Sequence, residues 1–440
     1  MSRVVLVLFF LILAISIGTL EVLSGHSTLV FDPAPKAIGE STAVRVRITN
    51  PHGTRRAAAF IEQNGSRSNI AEENKPTNRF MFWRTHAPSA DFQFIAGRAN
   101  APSLKEGKAR LIVEAQSNDL RGSTDSITTE VDVIFRPPSV TTDSFQHYIN
   151  QGGSEMALIT PSGFWSEAGV RVGDHVFRSF PLNGPLHGNE RIALFAFPWD
   201  MPRDTAPVVF VRNTAGTEAT ARFWFKVFPK KFRARDLPID DAFLEKVVNQ
   251  VDPSGSGDLL TRFLKINGDM RRENNKTLAD LRLKTEEKFL WTEPFLQLVN
   301  SKVESSFADV RSYIYKGKKV DQQTHLGFDL AVGQHTPVPA ANDGKVVWAG
   351  PLGIYGNCIV VDHGFSLQSV YGHLSEIAVK EGQMVKRGET MGKSGSTGLA
   401  GGDHVHFSMQ IDGVQVNPIE WWDQHWIHDH VLGRLQGSNE

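Results

Sequence analysis

A two-residue alternation, cut at intervals by turn chemistry, limits most strongly how this chain can fold. Val44-Arg45-Val46-Arg47-Ile48 sends apolar and charged side chains to opposite faces, and Asn50-Pro51-His52-Gly53 ends the run. The same pattern returns at residues 109–113 and 130–135. Short strands of this kind bury their apolar faces only by stacking in sheets, so residues 27–138 are expected to form an antiparallel sandwich of immunoglobulin-like type. Arg136-Pro137-Pro138 marks its end. Residues 139–229 continue in the same style, with strands expected at 156–159, 192–197 and 222–227. The expected fold is mostly β and multidomain, beginning with two β-sandwich-like modules.

The period lengthens after Pro229-Lys230-Lys231. Phe243, Leu244, Val247, Val248 and Val251 fall on one helical stripe behind Asp240, a suitable cap. Leu259, Leu260, Phe263 and Leu264 open a second helix after Asp258. Residues 236–300 thus read as a helical linker or hairpin that either spaces the end domain or covers it. Lys230, Lys231, Arg233 and Arg235 read as a solvated connection, ahead of a contact for an acidic polymer. From about residue 303 the strand pattern returns with many glycines, which allow tight hairpins.

The N-terminus carries a separate constraint. Residues 4–20 read VVLVLFFLILAISIGTL, with no charge, behind Arg3. A helix of that length covers about 25 Å against a hydrocarbon core of about 30 Å. It lacks the polar face of a soluble helix, and no small-x-small cleavage site follows it cleanly, Leu23-Ser24-Gly25 being nearest. Residues 1–25 are expected to be a signal anchor, with a cleaved signal peptide as the alternative. The rest of the chain would lie outside the cytoplasmic membrane.

Charge excludes one class of partner. Lys and Arg total 47 against 48 for Asp and Glu, so no excess of positive charge is available for nucleic acid. A single cysteine, Cys358, excludes a disulfide framework and a Cys-rich zinc ribbon. Histidine is concentrated instead: nine of fifteen fall between residues 325 and 430, which places the chemistry there. Three segments stand out, His325-Leu326-Gly327-Phe328-Asp329, Tyr371-Gly372-His373-Leu374 and Asp403-His404-Val405-His406-Phe407. In an extended segment, a spacing of four puts His325 and Asp329 on one face. His404 and His406 likewise share a face, with Val405 and Phe407 pointing into the core. Two imidazoles and one carboxylate, with one position open to water, suit a catalytic Zn²⁺.

The segment from about 303 to 424 closely resembles the lysostaphin/LytM-type zinc peptidases, which cleave peptidoglycan cross-bridges and stem peptides. The resemblance rests on HLGFD at 325–329, YGHLS at 371–375 and GGDHVHFSM at 401–409. It implies an antiparallel β peptidase domain of lipoyl-like hybrid type over 303–424, followed by a tail at 425–440. It also implies one zinc ion held by His325, Asp329 and His406, with His404 and His373 as non-ligand catalytic histidines. The expected activity is metal-assisted hydrolysis of a peptide bond in the wall, with zinc-bound water as nucleophile. His404 would help activate the water while His373 orients it or stabilises the oxyanion, and the two roles could be exchanged. The expected setting is the periplasmic side of an inner membrane. Expected partners are peptidoglycan, the membrane through the N-terminal segment, and a protein docked on the N-terminal β domains. The rival reading is a non-catalytic wall binder or a regulator of another hydrolase.

Other features read as decoys. Residues 379–392 resemble a lipoyl or biotinyl carrier hairpin, but Lys386 stands between Val385 and Arg387, without the Met or Asp neighbour of a modified lysine. His425, His428 and His430, after Trp421-Trp422, suggest a surface helix with Trp packed inward more than a second metal site. His335 and His363 read as loop residues, Asp362 as part of a turn, and Cys358 as a small buried hydrophobe.

Overall fold

The computed structural model describes residues 3–76, 81, 84, 89–182 and 187–437, and is mostly β. It divides into two compact units. The first comprises residues 1–138 with short segments at 163–166 and 212–218. Its three-stranded sheet (Thr28–Phe31, Thr42–Thr49, Ala90–Ala96) and its five-stranded sheet, with Gly107–Ser117 at the centre, share one core. In Thr42–Thr49, Val44, Val46 and Ile48 are buried and Arg45 and Arg47 exposed, as the alternation requires.

The apolar N-terminal segment is helical over Arg3–Leu23 and leaves Phe9, Ile12 and Ile15 exposed. Among the described residues, no helix is long and apolar enough to cross a membrane. The expected anchor also runs over residues 1–4 and 20–23, whose side chains lie outside the described residues. It gains no support from the part described.

The second unit holds residues 139–162, 167–211 and 219–440. In its first part, Ser154–Ser162 pairs with Arg191–Ala196 and Ser139–Thr142, while Glu167–Val172 pairs with His175–Arg178. The last part is built on an eight-stranded sheet. Its order is Lys302–Ser305, Phe328–Ala331, His404–Ile411, Leu367–Leu374, Asn357–Asp362, Gly344–Pro351 and Met384–Val385, with Val414–Val416 added beside His404–Ile411. A second sheet of three strands, Ala234–Ile239, Asp309–Tyr315 and Lys318–His325, stands next to it in the chain.

Between these parts run the helices. Asp240 caps Asp241–Val251 by accepting from the Phe243 N–H at 2.8 Å, and Asp258 caps Leu259–Lys265 in the same way. Leu244, Val247, Val248 and Phe263 are fully buried and share a core with Tyr313, Ile354, Tyr355 and Val370 of the β domain. The helices therefore cover that domain. Arg233 is exposed, as the solvated reading expects, and also pairs with buried Asp309. Arg235 donates to Ser305 Oγ.

Buried polar clasps hold the second β module to the β domain. Glu420 accepts from Asn150 Nδ2 at 2.8 Å, Ser154 N at 2.7 Å and Ser154 Oγ at 2.9 Å. Burial pushes its carboxyl up to about 7, against the pull of those donors. Arg178 Nε donates to Asp412 Oδ1 at 2.9 Å, and Arg434 pairs with Glu155 at 3.0 Å. The histidines of the tail join this clasp only through His430, bonded to Glu155 at 2.9 Å and stacked on Trp426. His425 and His428 point outward, while Trp421 is fully buried. Lys386 pairs with Asp343 at 2.9 Å.

Candidate metal centre

Three adjacent strands set most of the site. Their register places Asp329 opposite His406, and His406 opposite Gly372. Along His404–Ile411, Val405 and Phe407 enter the core, which leaves His404 and His406 together on the other face. Gly372 leaves room beside His406, since a Cβ there would lie 3.3 Å from the His406 Cβ.

His325 arrives by a different route from the one its spacing predicts. Its Nε2 does lie 3.0 Å from Asp329 Oδ1, but no continuous strand joins the two residues. Lys318–His325 ends in one sheet, the chain turns at Leu326-Gly327, and Phe328–Ala331 starts in another. The turn needs glycine: a Cβ on Gly327 would lie 2.6 Å from His406 Cε1 and 2.8 Å from the Phe407 carbonyl.

His373 is aimed by a bulge. Gly372 and His373 together oppose the single Cys358, and His373 takes φ 63°. That left-handed conformation costs a side chain about 1–2 kcal/mol. Without the extra residue, His373 would face the same way as buried Tyr371, whose hydroxyl accepts from the Ala341 N–H at 2.8 Å. With it, the imidazole sits 4.8 Å from His404 and 6.0 Å from His406 between ring centres.

The donor atoms converge. Asp329 Oδ1 is 3.0 Å from His325 Nε2 and 3.3 Å from His406 Nδ1, and the two nitrogens are 2.9 Å apart. A tetrahedral zinc ion bonded at about 2.0–2.1 Å would hold its ligand atoms about 3.3 Å apart. His325 Nδ1 donates to the Ser306 carbonyl at 3.2 Å, so its neutral ring turns the Nε2 lone pair inward. His406 presents Nδ1 to the centre and leaves Nε2 buried without a partner. Lone pairs gathered around a buried carboxylate in this way fit a cation. These three residues form a group that could hold a metal ion among the described residues.

Charge is organised around Asp329. Burial favours its neutral form, yet the imidazoles of His325, His404 and His406 hold it well below the usual carboxylate range. Arg311 Nη2 takes its second oxygen at 2.5 Å, which leaves Oδ1 for the centre. Burial lowers His325, and lowers His406 to about 4. His373 is driven well down by burial and by its two histidine neighbours. His404 is also buried, but Asp329 Oδ1 at 3.5 Å outweighs that and raises it. His373 Nδ1 donates to the Thr397 carbonyl at 2.8 Å and His404 Nδ1 to the Gly402 carbonyl at 2.9 Å. Each ring then turns Nε2 toward the site, where that of His404 lies 3.5 Å from Asp329 Oδ1.

These groups line a cavity of about 170 Å³ whose remaining wall includes Leu237, Phe243, Arg271 and Asn275 from the preceding segment. Sequence reasoning missed Arg311, Gly327 and Arg271. Gly327 was visible inside HLGFD as the residue able to turn between two polar positions. The arginines carry no local signal.

A buried His/Asp/His cluster that could hold a metal ion thus sits beside two further histidines in a β domain. Residues 323–418 match the model of Peptidase family M23, and this segment is a domain of that family. The chain is 41% identical over 95 residues to the DD-carboxypeptidase/endopeptidase Mpg of Neisseria meningitidis, covering 22% of each protein. It is 41% identical over 96 residues to the peptidoglycan DD-endopeptidase ShyA of Vibrio cholerae, again 22% of each. The catalytic domain of lysostaphin from Staphylococcus simulans aligns over 33% of this chain and 96% of that one, at 26% identity and a TM-score of 0.22. The chain thus spans about a fifth of the length of these curated relatives.

Proposed function

We propose that the chain is a zinc-dependent endopeptidase that hydrolyses peptide cross-links or stem peptides of peptidoglycan. The observation that carries this reading is the approach of Asp329 Oδ1, His325 Nε2 and His406 Nδ1 to within 3.3 Å of one another, with His404 and His373 alongside. Two nitrogens and one oxygen at tetrahedral separations suit zinc, and His325, Asp329 and His406 would hold it. When bound, the ion supplies Lewis acidity toward an amide carbonyl and lowers the pKa of adjacent water.

The protein's own groups supply the proton transfers. With Nδ1–H committed to a carbonyl, neutral His404 and His373 each offer Nε2 as an acceptor. Neutral His404, which lies beside Asp329, takes the proton of the attacking water and passes it to the leaving amine nitrogen. His373 stays neutral and orients that water through its Nε2 lone pair. An oxyanion role would require a proton on that nitrogen. Arg311 keeps Asp329 correctly turned throughout.

The names of the relatives and the family of residues 323–418 support a peptidoglycan substrate. Residues 1–25 would tether the chain to the inner membrane facing the periplasm, and the N-terminal β unit would offer a platform to a protein partner. Purified sacculi incubated with the full chain test the reading. Cross-link products should appear, vanish with chelator and return with added zinc. Chelator-insensitive release, or no release with zinc bound, would favour the wall-binder reading instead.

A further inference from the structure

The covering helices contribute a charge to the cavity. Arg271 lines it together with the histidines and Asp329, and has no ion-pair partner among the described residues. Its guanidinium is nevertheless held in place. Nε donates to the Asn267 carbonyl at 3.2 Å, and Nη2 donates to Asn267 Oδ1 at 2.6 Å. Asn267 is fully buried, and its amide is oriented in turn by donating Nδ2 to Asp321 Oδ2 at 2.6 Å. Asp321 belongs to Lys318–His325, the strand that ends in His325. A continuous path of hydrogen bonds and backbone therefore fixes Arg271 relative to the metal centre.

The backbone supports the same placement. Residues Ile266–Met270 form a π turn between Leu259–Lys265 and Arg271–Asp280, and such a turn shifts the phase of every side chain after it. The other arginine of the wall, Arg311, is already occupied by Asp329. Arg271 thus remains as a held, planar donor group whose positive charge the cavity does not match. Guanidinium groups in that condition bind carboxylates by paired N–H donors.

We propose that Arg271 forms a carboxylate-binding subsite, so that the preferred substrate is a peptide with a free carboxylate next to the scissile amide. The inference rests on the peptidase reading and deepens it. Two sources supply that chemistry in a cross-linked peptide: the α-carboxylate at a chain end and a side-chain carboxylate near the cross-link. The helical segment is then part of the substrate pocket as well as a cover.

The test compares the zinc-loaded full chain with Arg271→Met and Arg271→Lys. Each receives a purified muropeptide dimer, the same dimer amidated at the chain-end carboxylate, and the same dimer amidated at the side-chain carboxylate. Cleavage is followed by chromatography, peptide binding by calorimetry, and zinc content by elemental analysis. In the parent chain, one amidation should lower kcat/KM and affinity roughly 10- to 100-fold, the span of one charge-assisted pair. That amidation identifies the source. Arg271→Met should lose a similar factor on the free dimer, show no further loss on amidation, and keep its zinc. Arg271→Lys should recover part of the loss. Equal treatment of all three peptides by the parent chain would overturn the proposal. So would a faster Arg271→Met, which would make the segment a plug. Carboxylate-dependent binding without cleavage would leave the subsite standing and refute the peptidase reading. No binding and no cleavage would refute both.

Discussion

The metal centre and the helices that cover it meet at one cavity but are built by different means. Asp329 and His406 are brought together by strand register, an arrangement in which moving either strand by one residue would send its side chains to the opposite face. The covering segment docks by an apolar stripe, Leu244, Val247 and Val248, with capping aspartates at its helix starts. On the proposed function, the sheets carry the reacting groups and the helices carry the selection of substrate.

The largest effects should come from the sheet. His406→Ala removes one of the three converging donors, so the chain should lose its zinc and at least about 10³-fold in activity. Metal analysis alongside sacculus digestion checks both, and a metal-replete His406→Ala would break the comparison. His404→Ala and His373→Ala should retain zinc while turnover falls roughly 10²- to 10⁴-fold. Full activity in either variant would remove that residue from the proposed chemistry.

The cover should answer in stability. Leu244→Ala empties a fully buried position and should cost about 2–4 kcal/mol in denaturant unfolding, with zinc content unchanged. A loss below about 0.5 kcal/mol would mean that the helices are a loose linker.

A smaller effect sharpens the picture of the sheet's far end. His363 is fully buried, bonded to the Asp343 carbonyl and to Ser369 Oγ at 2.8 Å each, and burial pushes it down to about 4 from the ordinary 6.5. The unfolded chain takes up that proton near pH 6.5 and the folded chain only near 4. Stability from this residue is therefore intact above 6.5 and drains away as pH falls toward 4. Neighbouring Asp362, raised to about 6 by burial, acts in the opposite sense. His363→Gln should recover on the order of 2 kcal/mol of the stability lost between pH 7 and 4.5. An unchanged acid profile would refute this.

Legibility in the sequence followed the reach of each interaction. Alternation at 44–48 was readable because one face of that strand is buried, and Asp240 was readable because a cap acts within three residues. The shared face of His404 and His406 follows from a spacing of two. His325 and Asp329 were expected on one strand, yet they meet across a turn between two sheets, where Gly327 comes close to His406. No spacing reveals the bulge that turns His373, because a bulge is a property of two strands. The pairing of Arg233 was not legible because its partner, Asp309, lies 76 residues away, and Arg311 reaches Asp329 across a different strand.

The central claim is that His325, Asp329 and His406 share one ion. Anomalous diffraction from zinc-loaded crystals at the zinc absorption edge tests it most directly. The account predicts one strong peak within bonding distance of His325 Nε2, Asp329 Oδ1 and His406 Nδ1. A peak elsewhere in the chain, with these three atoms left unligated, would contradict it.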